Sequence, residues 1–210
     1  ADKEEGVRMD AGHIMRVASV SKLITAIGIM VLQDQGKIRI KDKVFGPDGV
    51  LYTTYMNSLV KDPLYKELTI EHLLRHEGGY KKDFMFSPLK LKAEMNLPGA
   101  PTAEDIIKYT LPRPLDFRPG TSQKYSNFSY LLLSRIIEVV SGMPYETFIK
   151  EYVLKPAGCF DMHIAGNYLA DKRVNEVHYY AHGNADARIV DEFTGSGNKV
   201  DKCYGGNNIT

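Results

Sequence analysis

Ser19 and Lys22 stand at the head of an almost wholly apolar run, "RVASVSKLITAIGIMVL", residues 16–32. On a helix, residues at i and i+3 share a face, so the hydroxyl and the amine can meet within hydrogen-bond reach. A serine hydroxyl is a poor nucleophile until its proton is removed. A lysine held in apolar surroundings is pushed toward its neutral form, in which it acts as a base. A serine at a helix start also lies beside unpaired backbone N–H groups and the positive end of the helix dipole, where developing negative charge is stabilised. Ser-x-x-K alone is short and common, and Ser19 fits equally well as an N-cap, with Lys22 snorkelling to water.

The elements that must position these groups follow from periodicity and punctuation. The spacing predicts a helix over about 19–35, with Leu23, Ile24, Ile27, Met30 and Val31 on one face and little polar surface elsewhere, so burial nearly all round is expected. Gly36 supplies its stop, and the polar residues 1–13 read as a loop or hairpin end. Thr69 caps a helix through Leu73 and Leu74 that runs to Gly78 and Gly79, and Thr102 caps another, "AEDIIKYTL". Between them, Lys81 to Pro101 reads as a long surface excursion, in which Tyr80 and Phe84 to Phe86 could line a cleft or simply cover core edges. A loop and helices over about 120–156 follow, with a strongly apolar segment ending at Gly142 and Pro144 opening the next helix. Strand-like runs over about 174–193 suggest a hairpin.

Composition narrows the function classes. The 210 residues are 43% hydrophobic and 25% charged, enough for one globular domain. The 27 basic and 26 acidic residues leave a net charge of +1, which excludes a broad field for nucleic acid or an anionic membrane. Leu23 to Leu32 is far short of the roughly 20 apolar residues that cross a bilayer, and no positively charged leader is visible at Ala1, so the chain is expected to be soluble. Cys159 and Cys203 fit one disulfide or two buried thiols. His72 and His76 have an i, i+4 metal-binding spacing, but the glutamate of HExxH is replaced by Leu; no metal and no organic cofactor are expected.

At this point the chain resembles the penicillin-recognising serine hydrolases: class C β-lactamases, D-alanyl-D-alanine carboxypeptidases and related esterases. "RVASVSKLITA" is similar to the nucleophile motif of that family, "LTIEHLLRHEGGY" to the stretch found midway, and "RPGTSQKYSNFSYLLLSRIIEVVSGMPYETFIKEYVLKPAGC" to the Tyr-x-Asn motif with its helices. Together these cover most of residues 14–165 in the family's order. The resemblance implies Ser19 as nucleophile, Lys22 and Tyr125 as proton carriers, and Asn127 as the residue that holds Lys22 and binds a substrate carbonyl. Beside a lysine ammonium, a tyrosine with an ordinary pKa near 10 can serve as base or proton relay. The implied reaction is acyl transfer from a lactam, an ester or a D-Ala–D-Ala type amide through a covalent acyl-enzyme.

The family's third motif, Lys-Thr-Gly or His-x-Gly on a strand, has no convincing counterpart; "AHGN" and "FTGSGNK" share only letters with it. The expected fold is therefore α+β: one incomplete domain over 1–210, the mainly helical portion of the β-lactamase/transpeptidase-like fold with most of its antiparallel sheet missing. An uncovered helical surface implies self-association or a partner segment in the sheet's place. A catalytically inactive binding or scaffold fragment of the same fold is the competing reading. The resemblance implies a small-molecule or peptidoglycan-peptide substrate, no nucleic acid, and an extracytoplasmic bacterial home.

Overall fold

The apolar run after Ser19 folds as α1, Ser21–Asp34, in a computed structural model that describes residue 2 and residues 5–52, 59–99, 101–165 and 173–177. It is followed by α2 (Ile70–Leu74), α3 (Pro88–Met95), α4 (Ala103–Thr110), α5 (Asn127–Ser141) and α6 (Tyr145–Ile149), the last continuing as a π-helical turn, Lys150–Leu154. Among the described residues β pairing is limited to isolated bridges: Asp2 with Val7, Ile14 with Glu176 and Lys43 with Thr69. The helical part of the expected fold is thus observed. The hairpin expected over 174–193 lies largely outside the described residues. No described helix is long and apolar enough to cross a membrane.

Several elements start and stop elsewhere than the sequence suggests. Ser19 is not in α1 but in a 3₁₀ turn, Ala18–Val20, and α1 begins without a side-chain cap, so the N-cap role for Ser19 is not realised. The helix after Thr69 ends at Leu74 rather than at Gly78, because His76 adopts a left-handed φ of 59°. Gly79 then turns with φ +97°, where a Cβ would stand 2.6 Å from the Phe117 carbonyl oxygen. The supposed excursion over 81–101 contains a 3₁₀ turn and a helix among its described residues. Asp83 caps a 3₁₀ turn, Phe84–Phe86, by accepting from the Met85 N–H, and Pro88 opens α3, which ends at a left-handed Asn96. The cap expected at Thr102 is present as a reciprocal capping box with Asp105.

The largest correction concerns which helix is central. α5 is the one buried all round over its first half: every residue from Asn127 to Ser134 is buried. α1 packs against it along one face only, with Ile24, Gly28, Ile29 and Leu32 buried. Leu23 (62% exposed), Ile27 (41%) and Met30 (38%) instead form an outer ridge with Val20. Gly28 shows why the contact lies there. A Cβ on it would sit 2.8 Å from Ile149 Cδ1 and 3.0 Å from Ile137 Cδ1, so α1 approaches α5 and α6 with backbone where a side chain would hold them apart. Tyr145 anchors the same junction by a buried hydrogen bond of 2.7 Å with Thr25 Oγ1.

The approach to Ser19 is tied down by charge and by backbone pairing. Arg16 Nε lies 3.7 Å from Glu176 Oε1, with the two side chains 13% and 4% exposed, and Ile14 pairs with residues 175–177 through backbone bonds. Removing one charge from such a largely buried pair is strongly destabilising. Glu176→Gln should accordingly lower the unfolding free energy by about 3–5 kcal/mol, read from denaturant midpoints at unchanged slope.

Candidate active site

Three local devices deliver the polar groups to one place. Ala18, with a left-handed φ of 46°, turns the chain into the 3₁₀ turn that carries Ser19. A strained residue next to a reactive one costs about 1–3 kcal/mol and is retained where the surroundings over-determine it. Lys22 follows in the first turn of α1, on the helix face that meets α5. At the other side, Ser126 caps α5 by accepting from the Ser129 N–H at 3.1 Å, which places Asn127 at the first helical position and Tyr125 just before it.

The tips converge. The Tyr125 hydroxyl lies 2.7 Å from Ser19 Oγ, although 106 positions separate the residues. Lys22 Nζ donates to Asn127 Oδ1 at 2.6 Å and stands 3.4 Å from Ser19 Oγ. Its ammonium also lies 4.9 Å from the Tyr125 ring centre and 5.8 Å from that of Tyr130, both faces favourable to a cation. Lys22 and Asn127 are 5% and 4% exposed, whereas Ser19 and Tyr125 are open, Tyr125 at 51%. The amine is therefore buried as expected, but among the described residues the hydroxyl and phenol face solvent.

This constellation, a serine beside a buried lysine and a tyrosine before an asparagine, agrees with what the chain matches: the family described as Beta-lactamase, over residues 1–197. The chain belongs to the beta-lactamase family. It is 30% identical over 188 residues to Penicillin-binding protein 4* of Bacillus subtilis, covering 87% of this chain and 37% of the relative. A putative D-alanyl-D-alanine carboxypeptidase of Escherichia coli is 27% identical over 158 residues, covering 74% and 35%. This beta-lactamase-family chain thus spans little more than a third of the length of those relatives. Among solved structures, a penicillin-binding protein of Bacillus halodurans superposes with a TM-score of 0.72 at 18% identity, covering 99% of this chain and 60% of that one. An octameric penicillin-binding protein homologue from Pyrococcus abyssi gives 0.69 at 23%, covering 99% and 44%. These two likenesses show a shared fold.

Two site residues escaped sequence reasoning. Asp83 Oδ2 accepts from both the backbone N–H and Nδ2 of Asn127, each at 2.8 Å. His76, weighed above only as half of a metal pair, clamps the loop that carries Tyr125: its Nδ1 accepts from the Ser126 N–H at 3.2 Å, and its carbonyl accepts from the Lys124 N–H at 2.9 Å. The His76 ring stacks between Tyr125 (4.6 Å) and Tyr130 (5.1 Å). His72 turns elsewhere, its Nδ1 accepting from the Thr69 N–H at 3.3 Å, so the two imidazoles serve separate caps and loops. The only sequence signal for His76 was its place in the midway stretch; for Asp83 there was none.

Tyr80 and Phe84, considered as cleft lining, border a different space. With Tyr65, Tyr109 and Arg113 they line a cavity of about 440 Å³ that none of Ser19, Lys22, Tyr125 and Asn127 lines. Met85 is buried, and Tyr80 packs edge-on against Phe128 with centroids 4.9 Å apart. The Tyr80 and Phe84 side chains are thus core edge. Cys159 is an exposed free thiol, and Cys203 lies outside the described residues.

Burial first and the Lys22 charge second hold the His76 imidazole below its ordinary pKa of 6.5. Its Nδ1 must also stay unprotonated to accept from Ser126. A histidine pKa lowered on folding adds stability above the unfolded value, and that stability is lost as pH falls through the folded value. His76→Gln should therefore narrow the loss of stability on acidification below about pH 6.5. Chemical unfolding of both proteins across pH 4.5–8 checks this, since a pH profile parallel to wild type in the variant would contradict the clamp.

Proposed function

We propose that this chain carries the acylation centre of a serine hydrolase whose acyl donors are β-lactams, esters or D-Ala–D-Ala type amides. The observation that carries the reading is the 2.7 Å contact between Tyr125 and Ser19 with Lys22 buried behind both. Ser19 Oγ bonds to the carbonyl carbon while its proton passes to Tyr125 or Lys22. The C–N or C–O bond then breaks as that proton is delivered to the leaving atom, giving a serine ester that water hydrolyses. Asn127 has one amide hydrogen facing Asp83, and a second is left for a substrate carbonyl. The names of the curated relatives, a penicillin-binding protein and a D-alanyl-D-alanine carboxypeptidase, favour a lactam or a terminal D-Ala–D-Ala peptide. Such a peptide substrate supports an extracytoplasmic site of action.

The exposed ridge of α1, Val20, Leu23, Ile27 and Met30, supports the further reading that a second copy or another segment covers this surface. In isolation the chain should then self-associate, and Leu23→Lys should shift its sedimentation toward monomer; a monodisperse monomer with the native ridge contradicts this reading.

A fluorescent penicillin tests the chemistry. Uptake should add one probe mass per chain, disappear in Ser19→Ala, and slow by about 10²–10⁴-fold in Lys22→Ala and Tyr125→Phe. Absence of labelling at high probe concentration would instead support a non-catalytic scaffold that keeps the family helices for packing.

A further inference from the structure

A carboxamide has two dissimilar ends of nearly equal size, and its hydrogen-bond partners decide which end points where. For Asn127 the choice has a chemical consequence, because one end faces Lys22. If the oxygen faces the lysine, Lys22 is the donor in that contact. If the NH₂ group does, a protonated lysine is repelled, and a neutral one spends its only lone pair accepting from the amide. Only the first arrangement leaves that lone pair for the Ser19 proton.

Asp83 removes the ambiguity. An ionised carboxylate accepts and cannot donate, and Asp83 Oδ2 takes the backbone N–H and the Nδ2–H of Asn127 together, each at 2.8 Å. The amide nitrogen is thereby turned toward Asp83 through one of its hydrogens, and Oδ1 faces Lys22 at 2.6 Å. The carboxylate is itself fixed, since Asp83 Oδ1 accepts from the Met85 N–H at 3.2 Å. Its negative charge also stands beside the first N–H groups of α5, where the helix dipole favours it.

We infer that Asp83 is a positioning residue, which acts through the Asn127 carboxamide to set the direction of hydrogen bonding at Lys22. The inference rests on the acyl-serine reading of the site. Asp83 affects the proton-transfer step more than the binding of the acyl donor, because it is one residue removed from the reacting atoms.

Acylation by a fluorescent penicillin, followed over a concentration series with the 210-residue chain, separates the two effects. Asp83→Ala should lower the rate at saturation about tenfold to a hundredfold while the half-saturating concentration moves less than about threefold. Combined with Asn127→Ala, it should cost nothing beyond Asn127→Ala alone, as expected of residues acting as one unit. Additive losses, or a change confined to half-saturation, would overturn the assignment. Asp83→Asn, which keeps the size and one acceptor, serves if the alanine variant does not fold, and the same non-additivity is expected of it. An independent readout is the exchange of the Asn127 side-chain NH₂ protons with solvent, followed by ¹⁵N-edited NMR; loss of the Asp83 acceptor should speed it about tenfold. An unchanged exchange rate overturns the inference. Accelerated exchange in the variant of a chain that takes no probe removes the hydrolase reading and leaves the orientation intact; uptake of probe without coupling does the reverse.

Discussion

The site depends on keeping one lysine nitrogen out of water at the head of an apolar helix. Taking such a group from water costs several kcal/mol unless its surroundings compensate. Here compensation comes from the carbonyl oxygen of Asn127 and from two aromatic faces, Tyr125 and Tyr130. Each of these groups is delivered by α5 or the loop before it, so docking of α1 on α5 is what brings them to the amine.

That docking explains features that look unrelated in the chain. Gly28 lets the two helices approach closely enough for Lys22 to reach Asn127, six residues earlier on the same buried face of α1. Asp83 and His76 act on the opposite partner. One fixes the carboxamide, and the other fixes the backbone of residues 124–126 and stacks on the phenol. His76 can do so only as a neutral ring, and the nearby Lys22 charge reinforces that state, so the lysine favours the protonation form of the residue that positions its neighbour.

Ser19, Lys22, Tyr125 and Asn127 were legible in the sequence because each lies in a short motif whose chemistry is local. Asp83 and His76 were not. Each works by accepting backbone or amide N–H groups 44 and 50 positions away, a task any well-placed acceptor can perform and one that leaves no pattern. The buried face of α1 was misassigned for a different reason. In a helix that is apolar nearly all round, periodicity cannot say which side meets the core, and Gly28, the residue that decided it, carries no side chain to count. The segment 81–101 hid α3 because its start is marked by Pro88 and its end by a left-handed Asn96, signals of helix termini rather than of periodicity.

Tyr125 and Lys22 are not equivalently placed about Ser19. Tyr125 is the nearer partner of Ser19, at 2.7 Å against 3.4 Å for Lys22, and it stands at the exposed edge, where a leaving group would depart. Lys22 is the more enclosed, with its position fixed by Asn127 and, through it, by Asp83. A proton leaving Ser19 thus has a short route outward through the phenol, whereas a proton on the lysine is held beside the reacting oxygen. On the proposed acylation reading both groups can reach the Ser19 proton, Tyr125 as the nearer and more open one and Lys22 as the enclosed one whose hydrogen-bond direction is set by Asn127.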